Sequence, residues 1–165
     1  MKFAETELRQ ITEDTWKIVL GEELQRPSRR VAPVDIEDSI AACAQIAGDW
    51  QLAVVLYCST ALARRVAALI FEEEERKASV DDIHDALCEL VNIISGNIKG
   101  VLSGSSHLSL PNIVKGQDFK IMFPRHVLLS EAAFEYQGQP LIVVVLGEDK
   151  LGAKKENRSA NGAVP

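Results

Sequence analysis

The chain has 165 residues, 47% of them apolar and 25% charged, with a net charge of −6 and a pI near 5.1. A chain of that length forms about one domain and buries roughly two thirds of its unfolded surface, so a core forms without disulfide or metal staples. The acidic balance argues against a nucleic-acid surface, which gathers Lys and Arg against phosphates, and the longest apolar run, Leu141 to Leu146, is far short of the ~20 residues that span a bilayer.

In chain order, Phe3, Leu8, Ile11, Trp16 and Val19 fall near one face of a first helix over Phe3 to Leu20, which Gly21 terminates. From Glu22 to Glu37 the periodicity is lost, and Pro27 and Pro33 enclose an irregular basic connection with room for a short edge strand. Ser39 to Ala47 and Trp50 to Cys58 read as two strands joined by a tight turn at Gly48 and Asp49, half buried on one face and largely covered on the other. Ser59 or Thr60 caps a second helix whose buried stripe is Leu62, Val66, Leu69 and Ile70. The acidic run Glu72 to Glu75 reads as a solvated helix end and loop.

Ser79 followed by Asp82 has the form of a capping box for a long third helix that ends near Leu102, with Gly104 just beyond. Three strands are then expected, over Phe119 to Phe123, His126 to Tyr136 and Leu141 to Gly147, the last two joined through Gln137 and Gly138. Leu141 to Leu146 is apolar at every position, so that strand is either covered on both faces or paired at a subunit boundary. The elements make an α+β domain over 1–151, long helices packed on a largely antiparallel sheet, followed by a polar tail over 152–165 with the composition of a disordered segment.

Common catalytic signatures are missing from the sequence. It contains no G-x-G-x-x-G, P-loop, G-x-S-x-G or H-E-x-x-H. Cys43, Cys58 and Cys88 are widely spaced with no His at ligand spacing, and read as small buried apolar groups. His84, His107 and His126 lie in three separate segments, so no metal site is expected. Arg29, Arg30, Arg64 and Arg65 read as parts of a solvated face. The N-terminus has no apolar stretch of the kind that directs secretion, which makes a cytoplasmic protein the expectation.

The third helix carries the functional signal. Ile83, Leu87, Leu90, Val91, Ile94, Ile98 and Val101 recur at steps of three and four, the spacing of a stripe turned to the core. Asp85, Glu89, Asn92, Gly96 and Lys99 form a second stripe at the same steps, placing a carboxylate and a carboxamide one turn apart. Asn is a mediocre helix former and each interior Gly costs about 1 kcal/mol against Ala, yet Asn92, Gly96, Asn97 and Gly100 all lie inside the helix. Local stability did not select them. Gly96 and Gly100 permit close approach of another backbone, and Asn97 is placed to tie a neighbouring loop to the helix.

Asp85-x-x-x-Glu89-x-x-Asn92, within DALCELVNIISGNIKG, resembles the signature of the CheC/CheX/FliY chemotaxis phosphatases. The SGNIKG continuation and the preceding strand, Gly-Asp turn, strand and helix resemble the same family over Ser39 to Gly104, and the single Glu-x-x-Asn helix is closer to the CheX branch. The family's Pro lies further from the Asn than Pro111 lies from Asn92. What the resemblance implies is a CheX/CheC-like fold and a phosphatase that hydrolyses the aspartyl phosphate of a CheY-like response-regulator receiver domain.

By the same resemblance Asn92 orients the attacking water, Glu89 pairs with the receiver's active-site Lys, and Asp85 and Gly96 meet the partner. It also implies a homodimer, no cofactor of its own, and a Mg²⁺ ion held by the receiver. The chemistry is physically coherent, because an acyl phosphate is already activated and a partner has only to place a water in line. A carboxamide both donates to and accepts from a water and never changes charge. Two other readings stay open: a non-catalytic CheX-like adaptor that binds receiver or other signalling domains, and a small-molecule sensor using a pocket against the sheet.

Overall fold

The computed structural model describes residues 3–116 and 121–148. Among them lie helices α1 (Glu5–Leu20), α2 (Thr60–Phe71) and α3 (Val80–Val101), and strands β1 (Ser39–Gly48), β2 (Leu52–Ser59), β3 (Ser106–Leu108), β4 (Asn112–Lys115), β5 (His126–Tyr136) and β6 (Gln139–Glu148). All strand pairings are antiparallel, in the order β3-β1-β2-β6-β5, with β4 following β3 along the outer edge of β1. The three helices pack on the six-stranded sheet, which is the α+β architecture expected.

Alternation along the strands sorts their side chains into two layers. Ile40, Ala42, Ile46, Leu52, Val54, Leu56, Leu141, Val143, Val145 and Phe134 face the helices and meet Leu8, Trp16, Leu62, Val66, Leu87, Leu90 and Ile94 in the main core. On the reverse face Ala41, Cys43, Val55, Tyr57, Ile142 and Val144 form a smaller cluster with Ile36, against which Val31, Ile121 and Phe123 pack. The apolar run in β6 is therefore covered on both faces, flanked by β2 and β5. Every residue of β2 is buried, so the first hairpin is covered more completely than its pattern implied.

Several local signals correspond to observed geometry. Gly21 ends α1 with a left-handed φ of 69° and a backbone N–H donated to Lys17 O at 2.9 Å. Ser59 caps α2, its hydroxyl accepting from Leu62 N at 3.1 Å. Gln137 and Gly138, with φ of 49° and 77°, make the two-residue turn between β5 and β6. In the connection after α1, Gln25 forms one isolated antiparallel bridge to Glu135, and Pro33–Asp35 is a 3-10 turn.

Four expectations are corrected. The turn between β1 and β2 is wider than Gly48 and Asp49 alone: pairing between these strands closes at Ile46 and Leu52, while Ala47 and Gly48 pair with His107 and Ser106 of β3. A Cβ on Gly48 would stand 2.5 Å from Ser105 O, so the glycine serves this second pairing. Ile121 to Phe123 is not a strand, its apolar groups packing on the reverse face instead, and the rest of that expected strand lies outside the described residues. The segment around Pro111 supplies β3 and β4 in its place.

Finally, Leu69 and Val101, towards the ends of their stripes, are exposed. The tail expected over 152–165 lies outside the described residues. Among the described residues no helix is long and apolar enough to cross a membrane.

Candidate functional site

Both ends of α3 are fixed. At its start the Ser79 hydroxyl accepts from Asp82 N at 3.0 Å and the Asp82 carboxylate accepts from Ser79 N at 2.8 Å, the reciprocal capping box. The Ser79 backbone N–H, and then its hydroxyl, hold the Asp82 carboxyl below the usual carboxylate range. At its end Trp50 Nε1 donates to Ser103 O at 2.6 Å and Ser105 N donates to the Asp49 carboxylate at 2.7 Å. Midway, Asn97 Nδ2 donates to Thr15 Oγ1 of α1 at 3.2 Å, so Asn97 ties a helix, not a loop, to α3.

Ile83, Ala86, Leu87, Leu90, Val91, Ile94, Ser95 and Ile98 form the buried stripe, and the two flanks are thereby assigned. The Asn97 side meets α1. The opposite side meets the edge made by β3 and β4, where a Cβ on Gly96 would stand 3.9 Å from Leu108 Cδ1. Between the flanks the helix presents the polar stripe outward. Asp85 and Glu89 are exposed, whereas Asn92 and Gly96 are half-buried.

Among the described residues, no side-chain hydrogen bond or ion pair engages Asp85, Glu89 or Asn92. Asn92 lies three residues after Glu89, about 4.5 Å along the helix axis. The pair thus stands on a convex, rigidly mounted face with its hydrogen-bonding capacity open. Such a face suits a macromolecular surface better than a small ligand, which requires enclosure.

Packing among the described residues does not explain the small residues of the stripe. The contact at Gly96 would be ordinary van der Waals contact for an alanine, and nothing lies within 4 Å of a Cβ on Gly100. Leu108 beside Gly96 is a neighbour that sequence reasoning missed, because its strand was not foreseen.

Nucleophilic and metal chemistry find little support nearby. Cys88, half-buried one turn before Asn92, has its thiol pushed up first by burial and then by the negative charge of Asp85. A thiol held protonated is a poor nucleophile. Burial likewise raises Cys43, and pushes Cys58 up to about 12. Among the described residues no group of three or more His, Cys, Asp or Glu is placed to hold a metal ion. A cleft of about 420 Å³ lies on the reverse face of the sheet, lined by Val34, Tyr57, Phe123, Leu128 and Val144 among others, and none of the α3 stripe contributes to it.

The chain matches the family model of the chemotaxis phosphatase CheX over residues 40–135. No curated protein matches it. Among solved structures it is similar to the chemotaxis protein CheX from Vibrio vulnificus, at 14% identity and a TM-score of 0.67, with 85% of this chain and 93% of that one covered. It is also similar to CheX in the CheX–CheY–BeF₃–Mg²⁺ complex from Borrelia burgdorferi, at 15% identity and a TM-score of 0.66, covering 87% and 97%. A CheX from Desulfovibrio desulfuricans matches at 14% identity and a TM-score of 0.65, covering 87% and 97%. The family match spans more than half of the chain and includes the whole of α3. The chain belongs to the CheC/CheX/FliY family of chemotaxis phosphatases, in its CheX-like branch.

Proposed function

We propose that this protein stimulates hydrolysis of the aspartyl phosphate of a CheY-like receiver domain, with Asn92 and Glu89 as the residues that act on it. The observation that carries this reading is the Asn92 carboxamide: half-buried and unengaged within the described chain, one helical turn from an exposed and unpaired carboxylate. The family supports the phosphatase activity, and the Borrelia burgdorferi complex of CheX with CheY, BeF₃ and Mg²⁺ supports the partner. The fluoroberyllate there stands for the phosphoryl group.

In the proposed reaction a water oxygen attacks phosphorus, the bond from phosphorus to the aspartyl oxygen breaks, and the bonding electrons leave with the carboxylate. Inorganic phosphate departs with the water's oxygen. Asn92 accepts a hydrogen bond from the water and donates one to the phosphoryl group or its surroundings, holding the oxygen in line. Glu89 pairs with the receiver's active-site Lys and fixes the register, and Asp85 and Gly96 contact the rim. Mg²⁺ belongs to the receiver, and this chain adds no cofactor. The acting unit is the domain over 1–151, working in the cytoplasm as a homodimer, for which light scattering should give twice the 18.1 kDa chain mass.

The test is the phosphoryl lifetime of a panel of phosphorylated CheY-like receivers, with the wild-type protein, with Asn92→Ala and with Glu89→Ala. Wild type should shorten the lifetime of at least one receiver. Asn92→Ala should lose on the order of a hundredfold of that stimulation, the scale of a lost positioning group, while still binding. Glu89→Ala should weaken binding. An unchanged rate with Asn92→Ala would overturn the mechanism, and tight wild-type binding with no change in lifetime would make the protein an adaptor.

A further inference from the structure

Beyond β3 the sheet edge holds a large apolar side chain out into solvent. Leu110, in the connection from β3 to β4, is 87% exposed, the highest exposure among the large apolar residues described. Its backbone is not loose. Ser109 N donates to Gln45 O at 2.9 Å, Gln45 N donates to Ser109 Oγ at 2.9 Å, and the Ser109 hydroxyl donates to Leu110 O at 3.1 Å. Pro111 follows, and pairing with β1 resumes at Asn112 opposite Cys43. Leu110 is thus an apolar side chain mounted on an anchored bulge.

Its height along the molecule is set by the neighbouring elements. The end of α3 is pinned near Trp50 and Asp49 by Ser103 and Ser105, and Gly96 lies beside Leu108, which pairs with Ile46. Helix and strand therefore run in the same direction, and β3 and β4 run opposite to both. From Gly96 back to Asn92 is four helical residues, about 6 Å. From Leu108 the same distance along the edge is about two residues, roughly 6.6 Å. That step arrives at Leu110.

We infer that Leu110 is an apolar anchor of the receiver-docking face, level with Asn92, and that its side chain is buried against the receiver surface when the complex forms. The inference rests on the proposed phosphatase reading and adds a residue that the motif on α3 does not contain. A polar pair alone fixes register but gains little affinity in water, whereas burial of one leucine side chain supplies a non-directional contribution that does not compete with the chemistry. The division is physical: Asn92 acts on the reacting water, Glu89 on the receiver's charge, and Leu110 on residence of the complex. The missing Cβ at Gly96 keeps the surface beside Leu108, one turn along α3 from Asn92, low enough for the partner to approach.

The experiment uses the receiver that wild type dephosphorylates fastest in the panel, together with Leu110→Ser, Leu110→Met and Asn92→Ala. Because Leu110 is exposed and its neighbours' bonds are made by the backbone and by Ser109, the variants should fold, as thermal melts will check. Leu110→Ser should raise KM at least fivefold with kcat unchanged, and weaken binding to the receiver loaded with Mg²⁺ and beryllium fluoride by the same factor. Leu110→Met should restore both. Asn92→Ala should show the converse, a lost kcat with binding retained.

If Leu110→Ser keeps KM and binding within twofold of wild type while Asn92→Ala loses the rate, the anchor is wrong and the site reading stands. A Leu110→Ser protein whose mass in solution halves would place the residue between copies of this chain, and would overturn the inference too. If wild type neither binds nor dephosphorylates any receiver, both fall together.

Discussion

Two alanine substitutions at the residue scale separate the glycines of α3 by purpose. A helix-interior Gly is less favourable than Ala by about 0.8–1.0 kcal/mol, and among the described residues no contact forbids a methyl group at Gly96 or Gly100. Both Gly96→Ala and Gly100→Ala should therefore raise the melting temperature, by about 2–4 °C for a domain of this size. Their activities should diverge. Gly96→Ala adds a methyl group beside Leu108, one turn along α3 from Asn92, and should raise KM for the phosphorylated receiver, whereas Gly100→Ala should leave turnover as it was. Scanning calorimetry paired with lifetime measurements reads both, and full activity in Gly96→Ala would return that glycine to chance. The stripe itself was legible in the sequence, since the period of α3 orders Asp85, Glu89, Asn92 and Gly96 along one line without knowledge of the rest of the fold. What could not be read was whether the carboxamide was already engaged, because that depends on which elements arrive on either side.

At the scale of elements, the capping box sets how firmly the site helix is held. Ser79→Ala removes the hydroxyl that accepts from Asp82 N and leaves that first-turn donor to solvent. Loss of such a cap costs about 1 kcal/mol, so urea midpoints should fall while kcat at low temperature stays near wild type. A large loss of kcat with no loss of stability would mean that the start of α3 takes part in docking. The remaining backbone bond from Ser79 N keeps part of the Asp82 effect, with the usual sign for a depressed carboxyl: stability present above the ordinary carboxyl range and lost as pH falls through it. Caps and helical periods are local, which is why α1, α2 and α3 could be placed from sequence. β3 and β4 are different. They are short, half-exposed at most positions and separated by the bulge at Leu110 and Pro111, so they carry no alternation to detect. Their existence is decided by the free edge of β1, and the flank of α3 beside Gly96 was hidden with them.

The whole molecule covers its sheet on both faces, and its response to alkali follows from that. Cys58 lies in β2 within the main core and Cys43 on the reverse face, so both thiols are shielded from water and raised by burial. Tyr57 and Tyr136 are raised by the same cause. For Cys58 the ordinary value of 9.0 moves to about 12 in the folded protein. Between those two values the unfolded chain has lost the proton and the folded chain keeps it, so the unfolded state binds fewer protons and stability falls as pH rises. Below pH 9 the contribution is fully present. Within the window Cys58 alone should give a slope of up to about 1.4 kcal/mol per pH unit, with the other thiols and phenols adding to it. Cys58→Ala removes the titrating group and should flatten that slope, although the smaller side chain lowers stability at every pH. Cys88→Ala should change the slope less, since Cys88 is only half-buried. Denaturant midpoints under reducing conditions, taken from pH 8 to pH 11 for the three proteins, compare slopes and not absolute stabilities. Parallel curves for wild type and Cys58→Ala would show that the interior around β2 is wetter than its burial indicates, and that the alkaline limit of this protein is set elsewhere.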